Sequence, residues 1–202
     1  MAAGNGFITY SPDTAYGSTY SGYGGAYGDG IDARRHSVPG SGTKEISEIG
    51  IYCYRDSGSN FDMKMALFTH DTVNNCPESM VSNSETEAIQ INNTSNAKKS
   101  YSYTSTKPLV TGGDTLWIAW FANTSVTAIN INRKESGGVG VYALLDASAY
   151  PTWLSGNGWH SLSTSTRDAS QYAVYADYTP ASSLPFFSEF RGGLNNDMTG
   201  GI

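Results

Sequence analysis

From residue 47 to residue 71 apolar and polar positions alternate along the chain. Ile49, Ile51 and Cys53 alternate with Gly50, Tyr52 and Tyr54. After Asp56-Ser-Gly-Ser-Asn60 the alternation resumes, with Met63, Met65 and Leu67 set against Lys64, Ala66 and Phe68. A repeat of two residues is the signature of a β-strand, because successive side chains on a strand point to opposite faces. The pattern predicts two adjacent strands joined by a turn. A lone hairpin is marginal in water, so a second sheet must pack against the pair, and a β-sandwich is the expected fold.

The same signals recur downstream. Residues 31–38, IDARRHSV, read as a strand entering the sandwich, with a turn at Pro39-Gly-Ser-Gly42. Further strands are expected at 87–91, 98–104, 115–121, 126–131, 139–144 and 171–178. Lys98 and Lys99 suit a sheet edge, where charge discourages pairing with another chain. After the turn Gly112-Gly-Asp114, the strand TLWIAWF is apolar on both faces, with Leu116, Ile118 and Trp120 on one and Trp117, Ala119 and Phe121 on the other. One face fills the core. The other must be covered by a Tyr-rich segment of the same chain or by a neighbouring subunit. So much apolar surface is read as more than one copy can hide, so the Trp117 side is expected to lie against other copies or other proteins.

Outside this patterned region the composition changes. Residues 9–30 are Gly, Ser and Thr interleaved with Tyr10, Tyr16, Tyr20, Tyr23 and Tyr27, a ribbon that cannot build its own core. Residues after Pro180 carry Phe186, Phe187 and Phe190 among glycines. The expected organisation is an N-terminal arm at 1–30, a sandwich at 31–180 and a C-terminal arm at 181–202. Amphipathic aromatics on extended arms suit contacts between subunits, with Tyr16, Tyr20, Tyr23, Tyr27, Phe186, Phe187 and Phe190 as the contact residues.

Only 15% of the 202 residues are charged, which leaves a surface of hydroxyl, amide and phenol groups typical of extracellular or virion β-proteins. A net charge of −6 argues against binding a phosphate backbone, so nucleic acid is not an expected partner. No apolar run approaches the ~20 residues of a membrane-spanning helix, and the opening residues MAAGNGFITYSPD show no Sec-type pattern, so a leader already removed or a route without one is expected. The expected location is the surface of a virion or another extracellular particle, with export by assembly and lysis. Cys53 lies on the apolar row with Ile49 and Ile51 and is expected as a buried free thiol, not bonded to Cys76.

Candidate chemistry is sparse. His36, His70 and His160 stand near no nucleophile motif, and Asp62, Glu85, Glu87 and Asp146 read as solvated charge, so no catalytic residue is assigned. No cofactor is called for. Asp29-Gly30-Ile31-Asp32 offers oxygen donors of the kind calcium takes, and no His/Cys cluster suits zinc. The sequons at Asn93 and Asn123 read as polar turns. The loop from Tyr150 and Trp153 to Trp159 and His160 places aromatics beside polar groups, the chemistry of sugar binding, although large aromatics are usually mostly buried and Trp153 and Trp159 are read first as a plug for one end of the sandwich.

Taken in order, IDARRHSVPGSGTKEISEIGIYCY, FDMKMALFT, LVTGGDTLWIAWF and the closing QYAVYADYT resemble a jelly-roll sandwich module found in carbohydrate-active enzymes, bacterial surface proteins and phage structural proteins. The resemblance spans residues 6–179 and includes no catalytic signature. It implies an all-β, jelly-roll-like antiparallel β-sandwich. The expected function is a non-enzymatic structural subunit of a virion, a capsid decoration or fibre protein, that partners other subunits as a homo-oligomer. The alternative is a carbohydrate-binding module that takes a surface glycan through its loop aromatics.

Overall fold

The computed structural model describes residues 18–21, 30–55, 59–122, 129–134, 142–146, 160–161, 171–172 and 174–180. In chain order the strands are β1 (Ser18–Ser21), β2 (Gly30–Ser37), β3 (Thr43–Arg55), β4 (Phe61–Asp71), β5 (Cys76–Met80), β6 (Ile89–Ile91), β7 (Ala97–Ser102), β8 (Leu109–Thr111), β9 (Thr115–Ala122), β10 (Ile129–Lys134), β11 (Tyr142–Asp146), β12 (His160–Ser161), β13 (Gln171–Tyr172) and β14 (Val174–Pro180). They form two antiparallel sheets of seven strands each. The first, sheet A, follows the path β1-β10-β3-β14, with β7 and β8 on β3 and β13 on β10. The second, sheet B, follows β12-β11-β2-β9-β4-β5, with β6 on β4. The protein is an all-β antiparallel sandwich.

The organising pair is divided between the sheets, which corrects the expected hairpin. β3 already has partners on both edges: Glu48 stands opposite both Asp177 of β14 and Ser102 of β7, and Cys53 opposite both Ile131 of β10 and Ala97 of β7. β4 is likewise held by β9 on one edge and by β5 and β6 on the other. The segment between them therefore crosses from one sheet to the other. The two apolar rows face each other instead of lying side by side. Alternation reveals which face of a strand is buried but not which strand lies beside it.

The shared core follows from those rows. Ile46, Ile49, Ile51 and Cys53 of β3, with Val174, Ala176 and Tyr178 of β14, meet Met63, Met65 and Leu67 of β4 and Leu116, Ile118 and Trp120 of β9. Each such side chain, fully buried, stabilises the fold by roughly 1.5–3 kcal/mol before chain entropy is counted. Ile46 and Ile49 share a face despite their odd spacing because the register slips: Asp177 pairs with Glu48, but Tyr178 pairs with Ile46. Ser47 is the extra residue of a β-bulge, tied by its Oγ to the Asp177 carbonyl at 3.2 Å. Both cysteines are free and buried, Cys53 within this core.

Between β5 and β6 the edge of β4 is completed by a segment that is not a strand. Leu67 N–H donates to Ser84 Oγ at 3.0 Å and Met65 N–H to Thr86 Oγ1 at 2.9 Å. In return, Val81 and Thr86 N–H groups donate to the Leu67 and Met65 carbonyls at 2.8 and 2.9 Å. Ser84 and Thr86 are buried because their hydroxyls stand in for strand backbone.

β9 is closed on both faces. Trp117, Ala119 and Phe121 are each 0% exposed in a single copy of the chain, as are Ala33, Ala66 and Phe68 beside them. The expectation that other copies must hide the Trp117 side is thereby corrected. The arm-like N-terminal stretch also contributes to the sandwich, because β1 pairs with β10 from Ser18 opposite Arg133 to Ser21 opposite Asn130.

Candidate functional site

Among the described residues, a cluster of ionisable side chains lies on the outer face of sheet A. Gly50 makes it possible, since a Cβ there would lie 2.6 Å from Tyr175 Oη. The Tyr175 ring fills that space and is fully buried. Its hydroxyl donates to Glu48 Oε1 at 2.5 Å, and Lys98 Nζ pairs with the same oxygen at 2.5 Å. Lys98 Nζ also stands 5.1 Å from the Tyr175 ring centroid, and Ser102 Oγ donates to Glu48 Oε2 at 3.4 Å.

Opposing forces act on the carboxyl of Glu48. Burial pushes its pKa up, but donation from Lys98 and Tyr175, the Lys98 charge and Ser102 together hold it below the usual carboxylate range. Asp177, directly across from it, is raised by burial and by the Glu48 charge, against Lys98. Tyr175 is raised by burial and by its bond to Glu48. Two neighbouring carboxyls with pKa values driven apart is the electrostatic pattern of an acid/base pair. Here, however, Glu48 accepts from three donors, and taking up a proton would mean giving up some of those bonds.

Gly50→Ala tests this construction. The added methyl must displace Tyr175 from Glu48, and overpacking of this kind costs about 1–3 kcal/mol. The urea-unfolding midpoint should fall accordingly. An unchanged midpoint would show that Tyr175 does not occupy the space over Gly50.

A second cluster closes the outer face of sheet B. Trp117 Nε1 donates to His70 Nδ1 at 3.1 Å, with the rings 5.9 Å apart. His70 is thereby fixed with its bare nitrogen toward Trp117. Burial and then the Arg35 charge lower its pKa, against Asp71, a bond to the Cys76 backbone and Glu78. Arg35 in turn donates to the Asn75 side-chain oxygen. The base that sequence reading left unassigned is thus occupied by a tryptophan. Cys53 is no nucleophile either, because burial pushes its thiol up to about 12, against a weak opposing pull from Lys99.

Most of the site residues expected from sequence lie outside the described residues. Tyr150, Trp153 and Trp159 lie outside the described residues, and His160 is placed only as the β12 residue opposite Leu144. Tyr16, Tyr23, Tyr27, Phe186, Phe187 and Phe190 also lie outside them, while Tyr20 is placed in β1 opposite Ile131. Asp29, of the suggested calcium ligands, lies outside as well. Among the described residues no three or more His, Cys, Asp or Glu side chains gather as a metal site.

Glu85 pairs with Lys64 at 2.6 Å. Asn93 Nδ2 donates to the carbonyls of Cys53 at 2.6 Å and Ser95 at 2.8 Å, so this sequon serves as a structural turn. Sequence reading missed Glu48, Lys98, Tyr175 and Asp177. The available signal was Gly50 inside a strand, which marks a close approach by something else. No protein-family model matches the chain, and no curated protein matches it.

Proposed function

We propose that the protein is a non-enzymatic structural subunit of a larger virion-type assembly, a jelly-roll plate of the capsid-decoration or fibre kind that associates with further copies of itself. One observation carries this reading: three described groups with chemistry of the catalytic kind, Glu48, His70 and Cys53, are engaged in holding the sandwich. Glu48 is gripped by Lys98, Tyr175 and Ser102, His70 accepts from Trp117, and Cys53 is sealed in the core. The charge-poor surface and the aromatic segments on either side of the sandwich fit a part that is assembled rather than one that turns over a substrate.

The C-terminal segment supplies the test. Removing residues 182–202, with Phe186, Phe187 and Phe190, is expected to lower the assembled fraction seen by light scattering. The urea midpoint of the sandwich should stay near that of the full chain. Assembly that survives the truncation unchanged would count against these phenylalanines as contacts.

A further inference from the structure

The turn between β4 and β5, residues 72–75, is built as one piece. Asp71 Oδ1 accepts from the N–H groups of Val73 at 2.8 Å and Asn74 at 3.1 Å, and its Oδ2 accepts from Asn74 Nδ2 at 2.6 Å. Asn75 ends the turn in the left-handed region, at a φ of 55°, which asparagine enters more readily than most residues.

Two side-chain bonds tie this turn to the outer face of sheet B. Trp117 on β9 donates to Nδ1 of His70, the residue before Asp71, and Arg35 on β2 donates to the Asn75 side-chain oxygen. β9 lies between β2 and β4, and Arg35 is the cross-strand partner of Trp117. The Arg35 bond therefore crosses the strand that carries the indole. Trp117 itself is fully buried.

The first of these bonds fixes a charge state. An indole N–H only donates, and an imidazole nitrogen accepts only while it is bare. His70 can hold Trp117 only as the neutral ring, because a proton on Nδ1 sets two donors against each other. Among the described residues, Arg35 of β2 opposes that proton, while Asp71 of β4, the Cys76 backbone and Glu78 of β5 favour it; Trp117, the contact from β9, carries no charge. The Cys76 thiol is pushed up by burial, Asp71 and Glu78, and stays neutral. Donation from Asn74 and Val73 holds Asp71 below the usual carboxylate range, so it stays charged while His70 titrates.

We propose that the β4–β5 turn is a proton-released strap over Trp117, clasped while His70 is neutral and freed when a proton on Nδ1 ends the bond to the indole and turns the ring toward Asp71 and Glu78. The new cation also faces Arg35, the donor of the second bond, so both ties weaken together. Burial and then the Arg35 charge hold His70 below its ordinary value, so the folded chain takes up this proton less readily than the unfolded one. The clasp contributes in full above the ordinary value of about 6.5 and is lost as pH falls through the lower value of the folded protein.

The test follows the Trp117 indole N–H in nitrogen–proton NMR spectra of the full chain, identified as the resonance missing from Trp117→Phe. Between about pH 8 and about pH 4.5 this resonance should move with the same midpoint as the His70 ring, and its protection from solvent exchange should fall about tenfold. His70→Asn keeps an acceptor near the position of Nδ1 and does not titrate, so there the resonance and its protection should hold over the same range. An indole N–H whose protection is unchanged across the His70 titration, or falls equally in His70→Asn, overturns the strap.

Discussion

Trp117→Ala is expected to lower the unfolding free energy by about 3–5 kcal/mol, the range for deleting a large aromatic from a packed interior. The ring is fully buried in one copy of the chain and stands between Arg35 of β2 and Phe68 of β4 in the register. Strand backbone on either side limits how far the cavity can collapse, and the Nδ1 of His70 loses its donor. Since domains are stable by only ~5–15 kcal/mol, such a variant would be near the edge of folding. Trp117→Phe keeps most of the volume and gives up chiefly the hydrogen bond, so its loss should be nearer 1 kcal/mol. Both are read from urea unfolding of dilute protein. If other copies covered this face, Trp117→Ala would weaken association and leave the stability of the dilute chain nearly unchanged.

Gly112→Ala should lower stability by about 3 kcal/mol or more, for a different reason. A Cβ at this position would lie 2.6 Å from Ser41 Cα and N and 2.7 Å from the Gly40 carbonyl carbon, all backbone atoms. Neither turn can step aside. Gly112 N–H donates to the Gly42 carbonyl, Gly113 N–H to the Val38 carbonyl and Val38 N–H to the Asp114 carbonyl, each at 2.8 Å. These bonds lock the end of β2 and the start of β3 to the entry of β9. Gly42→Ala is the control. It meets nothing within 4 Å but must hold a φ of +73°, so it should cost only about 1 kcal/mol. The order of the two losses is the result to check, and its reversal would mean that the turns are not interlocked.

The two turns illustrate how much of the fold was legible in advance. Pro39-Gly-Ser-Gly42 and Gly112-Gly-Asp114 mark themselves by composition, but nothing in either reveals that they touch. The rows of β3, β4 and β9 were likewise readable as faces, and the double-sided burial of β9 followed from TLWIAWF alone. Which strands pair was hidden, because alternation does not encode a neighbour. For this reason β3 and β4 read as a hairpin although they belong to opposite sheets. The bulge at Ser47 hid Thr43–Ile46 by shifting the phase of the alternation. Ser84 and Thr86 give no strand signal in the sequence because their polarity serves the backbone of β4 and not solvent.

The Glu48 cluster was harder still to foresee. Its members come from β3, β7 and β14, and only the register brings Lys98, Ser102, Tyr175 and Asp177 around one carboxylate. Gly50 was the one local clue. The proposed role in assembly instead draws on the aromatic residues of 9–30 and 182–202, whose composition is visible in the sequence.

Association of the full chain tests the account most directly. Sedimentation velocity from about 1 to about 100 µM should show a species several times the monomer mass that grows with concentration, as mass action requires of self-assembly. A single monomeric boundary across that whole range would contradict a structural subunit that associates with its own copies.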